Sequence, residues 1–498
     1  MTRSGGRVLV DQLVRQGAEL AFGVPGESYL AVLDALRDTE LHLVVCRHEG
    51  GAANAAEAYG KLTGRPGICL VTRGPGATHA ANGVHTARQD STPLLLLVGQ
   101  VARGASGREG FQELDYREVF GGLAKWATQI DDAARIPETI ARAWATALSG
   151  RPGPVVVALP EDMLTDEVDV ADAAPVRIPA PAPSMRDLAE LRKLMAAAQR
   201  PLIVVGEGGW TGQAGADVVA FAEANESPVA ASFRCQDYVD NRSPVYAGHA
   251  GLAMDAALSA RIAGADLLIA VGGRLGEIPT DGYTLLEPPV PRQRLVHVHP
   301  DPAELGQVYE PTLPIVAALP EFAAAARALA SAPHPARAGL VAEAHAAYER
   351  NLAEVRELPG ALRLGTVMRT LRERLGPEAI LTCGAGNFTV WAHRYYEFTR
   401  YPTQLAPRSG SMGYGVPAAL AAKAVHPERT VICLAGDGDF LMTGQELATA
   451  VQEDLPIIVL VVNNGMYGTI RMHQERHYPG RVVATGLVNP DFVAYARA

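Results

Sequence analysis

Short apolar runs alternate with longer stretches of helical periodicity almost throughout the chain. The runs at 43–46, 67–72, 94–98, 154–159, 202–205, 267–271, 295–298, 431–434 and 457–462 show no polar alternation. A strand that is apolar on both sides is covered on both sides. With helices between such strands, the pattern predicts parallel sheets in α/β layers. Two Pro- and Ala-rich stretches read as semi-rigid linkers: 171–184 (ADAAPVRIPAPAPS), and 331–336 (SAPHPA) with a polar helical pattern after it to about Pro359. They divide the chain into 1–170, 185–330 and 360–498. Each part is expected to form a mostly parallel sheet flanked by helices, which suits roughly 100–200 residues per domain. The end, Asn489-Pro-Asp-Phe-Val-Ala-Tyr-Ala-Arg-Ala498, reads as a helix start met by the terminus, so a C-terminal segment cut short is expected.

Charge narrows the partners. The formal net charge of -10 argues against a broad basic surface, so no nucleic-acid partner is expected. It leaves room for a local anion site, because backbone N–H groups and a metal bind phosphate without net positive charge. The five cysteines, Cys46, Cys69, Cys235, Cys383 and Cys433, are scattered and form no CxxC pair. Buried free thiols in a reducing compartment are expected, with no zinc. The first residues lack the apolar core of a signal peptide, and the longest apolar stretches are too short to cross a membrane. A cytoplasmic protein without a membrane partner is the expectation.

The most specific chemistry lies near the C-terminus. A strand at 430–435 ends in Gly436-Asp437-Gly438-Asp439-Phe440, and a helix is expected over 443–453. A second strand at 457–462 ends in Asn463-Asn464-Gly465-Met466. One strand–helix–strand unit takes about 30 residues, so Asp437 and Asn464 fall at the carboxyl ends of neighbouring parallel strands. That edge of an open α/β sheet is where ligands bind. A carboxylate, an amide oxygen and a loop carbonyl suit Mg²⁺, which completes its shell with phosphate and water. Gly436 and Gly438 let the backbone approach a diphosphate, and a helix N-terminus adds a favourable field.

The GDG…NN pair resembles the cofactor fingerprint of thiamine-diphosphate enzymes. The resemblance implies Mg²⁺ held by the Asp437 and Asn464 side chains and the Met466 carbonyl, with Gly436, Gly438 and Asp439 beside the cofactor. Upstream, Ser409-Gly-Ser-Met-Gly-Tyr-Gly-Val-Pro-Ala418 is similar to the segment that bends the cofactor. Met412 would wedge between its two rings, and the Gly410 carbonyl would accept from its aminopyrimidine.

The first part offers Cys46-Arg-His-Glu49, after an apolar run and before a small-residue helix at 52–59. A carboxyl so placed is poorly hydrated and suited to proton transfer. RHE, followed by Val71-Thr-Arg-Gly-Pro-Gly-Ala-Thr78, is similar to the first domain of acetolactate-synthase-type enzymes. The similarity spans nearly the whole chain and includes Gly23-Val-Pro25-Gly26. It implies that Glu49 protonates the aminopyrimidine, that Pro25 and Gly26 adjoin the cofactor, and that the first and third domains take the thiamine-diphosphate-binding fold around a Rossmann-like middle. It implies decarboxylation of a 2-keto acid such as pyruvate with carboligation to an acceptor. It also implies active sites shared between two copies, in a homodimer or homotetramer. Alternatives within the family are a non-carboligating decarboxylase, an acyl-transferring relative and a catalytically silent paralogue. Phe111-Gln112 is similar to a pair beside the cofactor in the synthases. The absence of a His-His dipeptide favours carboligation. His473 stands where those enzymes carry a tryptophan, and His79 follows the Gly-rich turn; with Phe111 and Gln112 they are the substrate-side candidates. FAD stays open: Gly272-Gly-Arg274-Leu-Gly-Glu-Ile-Pro279 lacks the acidic pair and arginine of the FAD-using synthases, and no full GxGxxG is present.

Overall fold

The computed structural model describes residues 2–354 and 362–498. The end of the pattern expected to reach Pro359, and the boundary at 360, lie outside them. The chain forms two compact units: residues 1–178, 381–389 and 405–498 make the first, and 179–380 with 390–404 the second.

The first unit holds two main sheets, besides the two-stranded antiparallel pair Arg3–Ser4 and Glu167–Val168. One has six parallel strands in the order His42–Val45, Leu20–Gly23, Gly67–Val71, Leu94–Gln100, Pro154–Pro160 and Trp126–Gln129. All residues of Gly67–Val71, Leu94–Gln100 and Pro154–Pro160 are buried, as their unbroken apolar runs require. The helix Glu49–Thr63 is buried nearly all round. Its alanines and glycines permit this: a Cβ on Gly51 would run into Glu446, and one on Gly83 of the neighbouring helix Pro75–Asp90 would run into Ala53. The other sheet has the order Gln404–Leu405, Ile380–Cys383, Val431–Gly436 and Ile458–Val462. Its last two strands pair in parallel, with Gly436 opposite Val462.

The second unit is built on six parallel strands in the order Tyr246–Ala250, Val229–Ser232, Pro201–Val205, Leu267–Val271, Arg294–His299 and Leu313–Val316. Apolar clusters line both faces, one around Ile203, Phe221 and Phe322, the other around Leu202, Leu268 and Leu286. In each of the three larger sheets the chain places its second strand on one side of the first and then crosses to the other. That makes a switch point, where loops diverge and leave a crevice.

The stretch read as a linker at 171–184 has no regular structure, but its first half is tied down: Gln12 exchanges bonds with Ala173, and Gln16 with Ala174 and Val176. The stretch at 331–336 corrects the expectation of a connector. It leads into Arg337, 1% exposed, whose guanidinium donates to the carbonyls of Met195, Ala198 and Asn225. The helix Leu340–Ala353 then packs Ala344 and Tyr348 against the second unit. The pattern of Pro and Ala signalled an irregular backbone but could not show the buried cation anchoring it. All five cysteines are buried, and none is in a disulfide. Among the described residues no helix is long and apolar enough to cross a membrane.

Candidate cofactor site

The smaller sheet of the first unit has its switch point between Ile380–Cys383 and Val431–Gly436. A cavity of about 250 Å³ opens there. It is lined by Gly410, Met412, Gly436, Asp437, Gly438, Asp439, Asn464 and Met466, so eight residues singled out in the sequence share one wall.

Asp437 is 2% exposed. Its Oδ2 accepts from the Gly465 N–H at 2.9 Å and from Asn489 Nδ2 at 2.6 Å, which ties the loop after Ile458–Val462 to the carboxylate. Asn464 Oδ1 accepts from Met466 N–H at 3.1 Å, and the Met466 carbonyl accepts from Gly468 N–H at 2.9 Å. The cluster therefore offers a carboxylate, an amide oxygen and a carbonyl, a hard-oxygen set of the kind Mg²⁺ takes. The glycines are required. A Cβ on Gly436 would lie 2.9 Å from the Phe388 ring, and one on Gly438 would lie 2.6 Å from Tyr467. Gly410 has φ +71 and open space where a side chain would be, so its backbone faces the cavity bare.

Asp439 acts as a brace. It is 3% exposed, and its Oδ1 accepts from Gly413 N–H at 2.7 Å and Ala385 N–H at 3.3 Å, joining the turn that carries Met412 to the end of Ile380–Cys383. The helix expected over 443–453 is present, as a 3₁₀ turn running directly into a short α-helix. A four-residue turn, Asp437–Phe440, starts at the GDG itself, and Gly444–Glu446 and Leu447–Gln452 follow. Gly444 packs directly against the Phe440 ring, with no room for a side chain. The dipole at the site is that of a single turn, weaker than a full helix supplies.

Glu49 lies outside this cavity. It is the first residue of Glu49–Thr63, behind His48, whose Nδ1 accepts from Gly50 N–H at 3.0 Å as the helix cap. The Glu49 side chain is 13% exposed, and its Oε2 meets His79 Nδ1 at 2.9 Å. Gly76 leaves room for it: a Cβ there would sit 3.2 Å from Glu49 Oε1. Pro25 and Gly26 follow Leu20–Gly23 at the switch point of the larger sheet, where Gly26 lies so close to Thr72 that a side chain would clash.

The substrate-side candidates do not converge. Phe111 is 75% exposed, and its carbonyl accepts from Arg73 Nε at 3.1 Å. Gln112 has φ +66 and packs on Gly74, with its Oε1 buried and no partner among the described residues. His473 is exposed on Gly468–His477, stacked on His477 with ring centroids 6.2 Å apart. Of the four, His79 bonds another predicted site residue, Glu49.

Other contributors were missed in the sequence. Ala385, Gly386, Asn387 and Phe388 line the cavity, and Thr469 Oγ1 bonds Asn387 Oδ1 at 3.0 Å. The signal was a third Gly-rich strand end, Gly384-Ala-Gly386-Asn387. Glu446, fully buried, accepts from the Arg47 and His48 N–H groups and so fixes the backbone entering Glu49. Burial pushes its carboxyl above the usual carboxylate range. Asn489, on Asp437, had no motif to announce it.

The comparisons with known proteins agree with this arrangement. Residues 3–119 match the N-terminal TPP binding domain of thiamine pyrophosphate enzymes, 188–355 the central domain, and 384–498 the C-terminal TPP binding domain. The acetolactate synthase large subunit of Corynebacterium glutamicum is 33% identical over 98% of this chain and 80% of its own length. That of Parasynechococcus marenigrum is 33% identical over 100% and 82%. The acetolactate synthase isozyme 2 large subunit of Escherichia coli is 31% identical over 99% and 89%. The chain therefore belongs to the thiamine-pyrophosphate-dependent enzymes, in their acetolactate synthase-like branch.

Proposed function

We propose that this enzyme decarboxylates a 2-keto acid, pyruvate or a close relative, and ligates the remaining fragment to an acceptor, as its acetolactate synthase relatives are named for doing. The observation carrying the reading is the convergence of Asp437, Asn464 and Met466 on one glycine-walled cavity beside Met412. These residues fit thiamine diphosphate and Mg²⁺: the oxygen donors suit the metal, and the bare backbone at Gly410, Gly436 and Gly438 suits a close-lying ligand. When bound, thiamine diphosphate supplies the carbon nucleophile and the electron sink for decarboxylation. Asp437, Asn464 and Met466 hold the metal, Gly410 and Met412 set the cofactor's shape, and Glu49 gives and takes the activating proton.

Glu49 and the cavity stand apart within one chain. This favours self-association, with Glu49 of one copy serving the cavity of another. The division into 1–170, 185–330 and 360–498 is proposed with the middle part extended through Leu340–Ala353. A cytoplasmic location is proposed from the soluble composition.

FAD does not fit. At the switch point of the second unit, Glu207 follows Pro201–Val205 and is 7% exposed. Its Oε2 accepts from Arg274 Nε at 2.6 Å and its Oε1 faces the Arg274 N–H at 3.4 Å. A buried carboxylate at this glycine-rich strand end opposes any anionic diphosphate bound there. We assign no chemistry to a flavin.

The test is proton NMR of the full-length protein with pyruvate, thiamine diphosphate and Mg²⁺, with and without FAD. Acetolactate, formed without FAD, is expected. Acetaldehyde would favour the simple decarboxylase, and unchanged pyruvate would overturn the donor.

A further inference from the structure

We propose that His79 is a positioning residue for Glu49, holding its carboxyl in place and linking it to solvent for proton exchange. This rests on the reading of Glu49 as the activating acid–base group. Four observations support it.

The contact is direct, His79 Nδ1 to Glu49 Oε2 at 2.9 Å. One face of the ring is covered: His48 stacks on it with centroids 4.6 Å apart and planes 25° from parallel, and His48 is itself held as the helix cap. The two partners differ in exposure. Within one chain the Glu49 side chain is 13% exposed and the His79 ring 51%, so the imidazole is the outer of the two groups. Lastly, the helix that carries His79 is pinned. Positions 79, 82, 86 and 90 fall on one face of Pro75–Asp90. Asn82 Nδ2 donates to Ser411 Oγ at 2.9 Å, Thr86 Oγ1 meets Ser409 Oγ at 3.3 Å, and the Asp90 carboxylate accepts from the Arg408 and Ser409 N–H groups at 3.0 and 3.1 Å. The face that presents His79 to Glu49 is thus locked to the segment carrying Gly410 and Met412.

An unassisted glutamate rotates freely about its last torsion, and a bond from a fixed imidazole removes that freedom before reaction. The proton balance is simple. As Oε2 gives its proton to Nδ1, Nε2–H releases one to water and the ring passes to its Nδ1–H tautomer; the reverse transfer recharges Glu49 and restores the Nε2–H tautomer. This replaces the expectation of His79 as a substrate contact.

The experiment follows the exchange of the thiazolium-carbon proton for deuterium in the full-length protein loaded with thiamine diphosphate and Mg²⁺, read by NMR after acid quench. His79→Ala should slow exchange by about tenfold or more, up to the roughly 10²–10⁴ that a positioned proton-transfer group supplies, with little change in KM for the keto acid. His79→Asn, whose amide N–H reaches the same oxygen but does not relay, should recover part of the rate. Wild-type exchange in His79→Ala, with exchange abolished in Glu49→Gln, overturns the proposal and leaves the Glu49 reading standing. Wild-type exchange in Glu49→Gln overturns the Glu49 reading itself. If His79→Ala does not fold, the cofactor-free protein decides: the His79 ring-nitrogen resonance should move in Glu49→Gln, and an unmoved resonance overturns the pair.

Discussion

At the carboxyl edge of the smaller sheet in the first unit, the strand Val431–Gly436 runs into Asp437, and three oxygen-bearing residues face open space. At the carboxyl edge of the sheet in the second unit, Pro201–Val205 runs into Gly206-Glu207 and Leu267–Val271 into Gly272-Gly273-Arg274. Both edges lie at switch points, and both are glycine-rich. In the first, the acid is fixed by neutral donors, Gly465 N–H and Asn489 Nδ2, so its charge stays available to a cation. In the second, the acid is neutralised by Arg274, and His297 Nε2–H closes the turn by donating to the Gly273 carbonyl at 2.8 Å. Equal topology leaves two outcomes, and the partner of one carboxylate decides between a site and a closed seam.

The open edge breaks most completely at Asp437. Asp437→Ala removes the one charged ligand, and loss of Mg²⁺ and cofactor affinity should exceed the roughly 10–100-fold typical of outer-shell substitutions. Calorimetric titration of thiamine diphosphate with Mg²⁺ measures it; wild-type affinity would show that the cavity is not the metal site. Asn489→Ala touches only the group behind the ligand. It should cost affinity within that 10–100-fold range while the protein melts near its normal temperature, since Asn489 packs little apolar surface.

The difference between the two edges was only half legible in the sequence. GDG and NNG, each after an unbroken apolar run, marked the open edge because strand period, turn chemistry and ligand type agree there. Asn387 and the end of Ile380–Cys383 escaped because a four-residue strand, ILTC, carries too little periodicity to be read. The strands Val229–Ser232 (VAAS) and Tyr246–Ala250 (YAGHA) escaped for the same reason: their burial comes from neighbours, not from large apolar side chains. The closing ion pair joins residues 67 positions apart, and no local pattern encodes that. Glu49 is singled out by its motif alone, and its bond to His79 depends on how two helices dock, which sequence spacing does not fix.

The closed edge is tested at Glu207. Glu207→Ala leaves the Arg274 guanidinium without its carboxylate, and the cost should be roughly 1–3 kcal/mol of unfolding free energy. Urea denaturation measures it. A midpoint unchanged from wild type would mean that the pair does not hold the seam shut. Flavin fluorescence quenching on titration should show no saturable binding to wild type; saturation would erase the contrast between the two edges.

The subtlest effect is the pH response of the closed edge. Burial pushes the His297 imidazole down from its ordinary 6.5 to about 4. In the folded protein it stays neutral over that interval, while the unfolded chain takes up a proton below 6.5. The unfolded state then binds more protons, so stability rises with pH across the window. The contribution is complete above 6.5 and is lost as pH falls from 6.5 towards 4, reaching on the order of 1 kcal/mol at about pH 5.5. His249, also lowered to about 4 by burial in the same unit, titrates alongside it. The useful quantity is therefore the difference between wild type and His297→Gln, which keeps an N–H for Gly273 but no titration. Thermal melts from pH 7 to 5 should fall less steeply in the variant. Parallel curves would mean that His297 does not distinguish the closed edge from the open one.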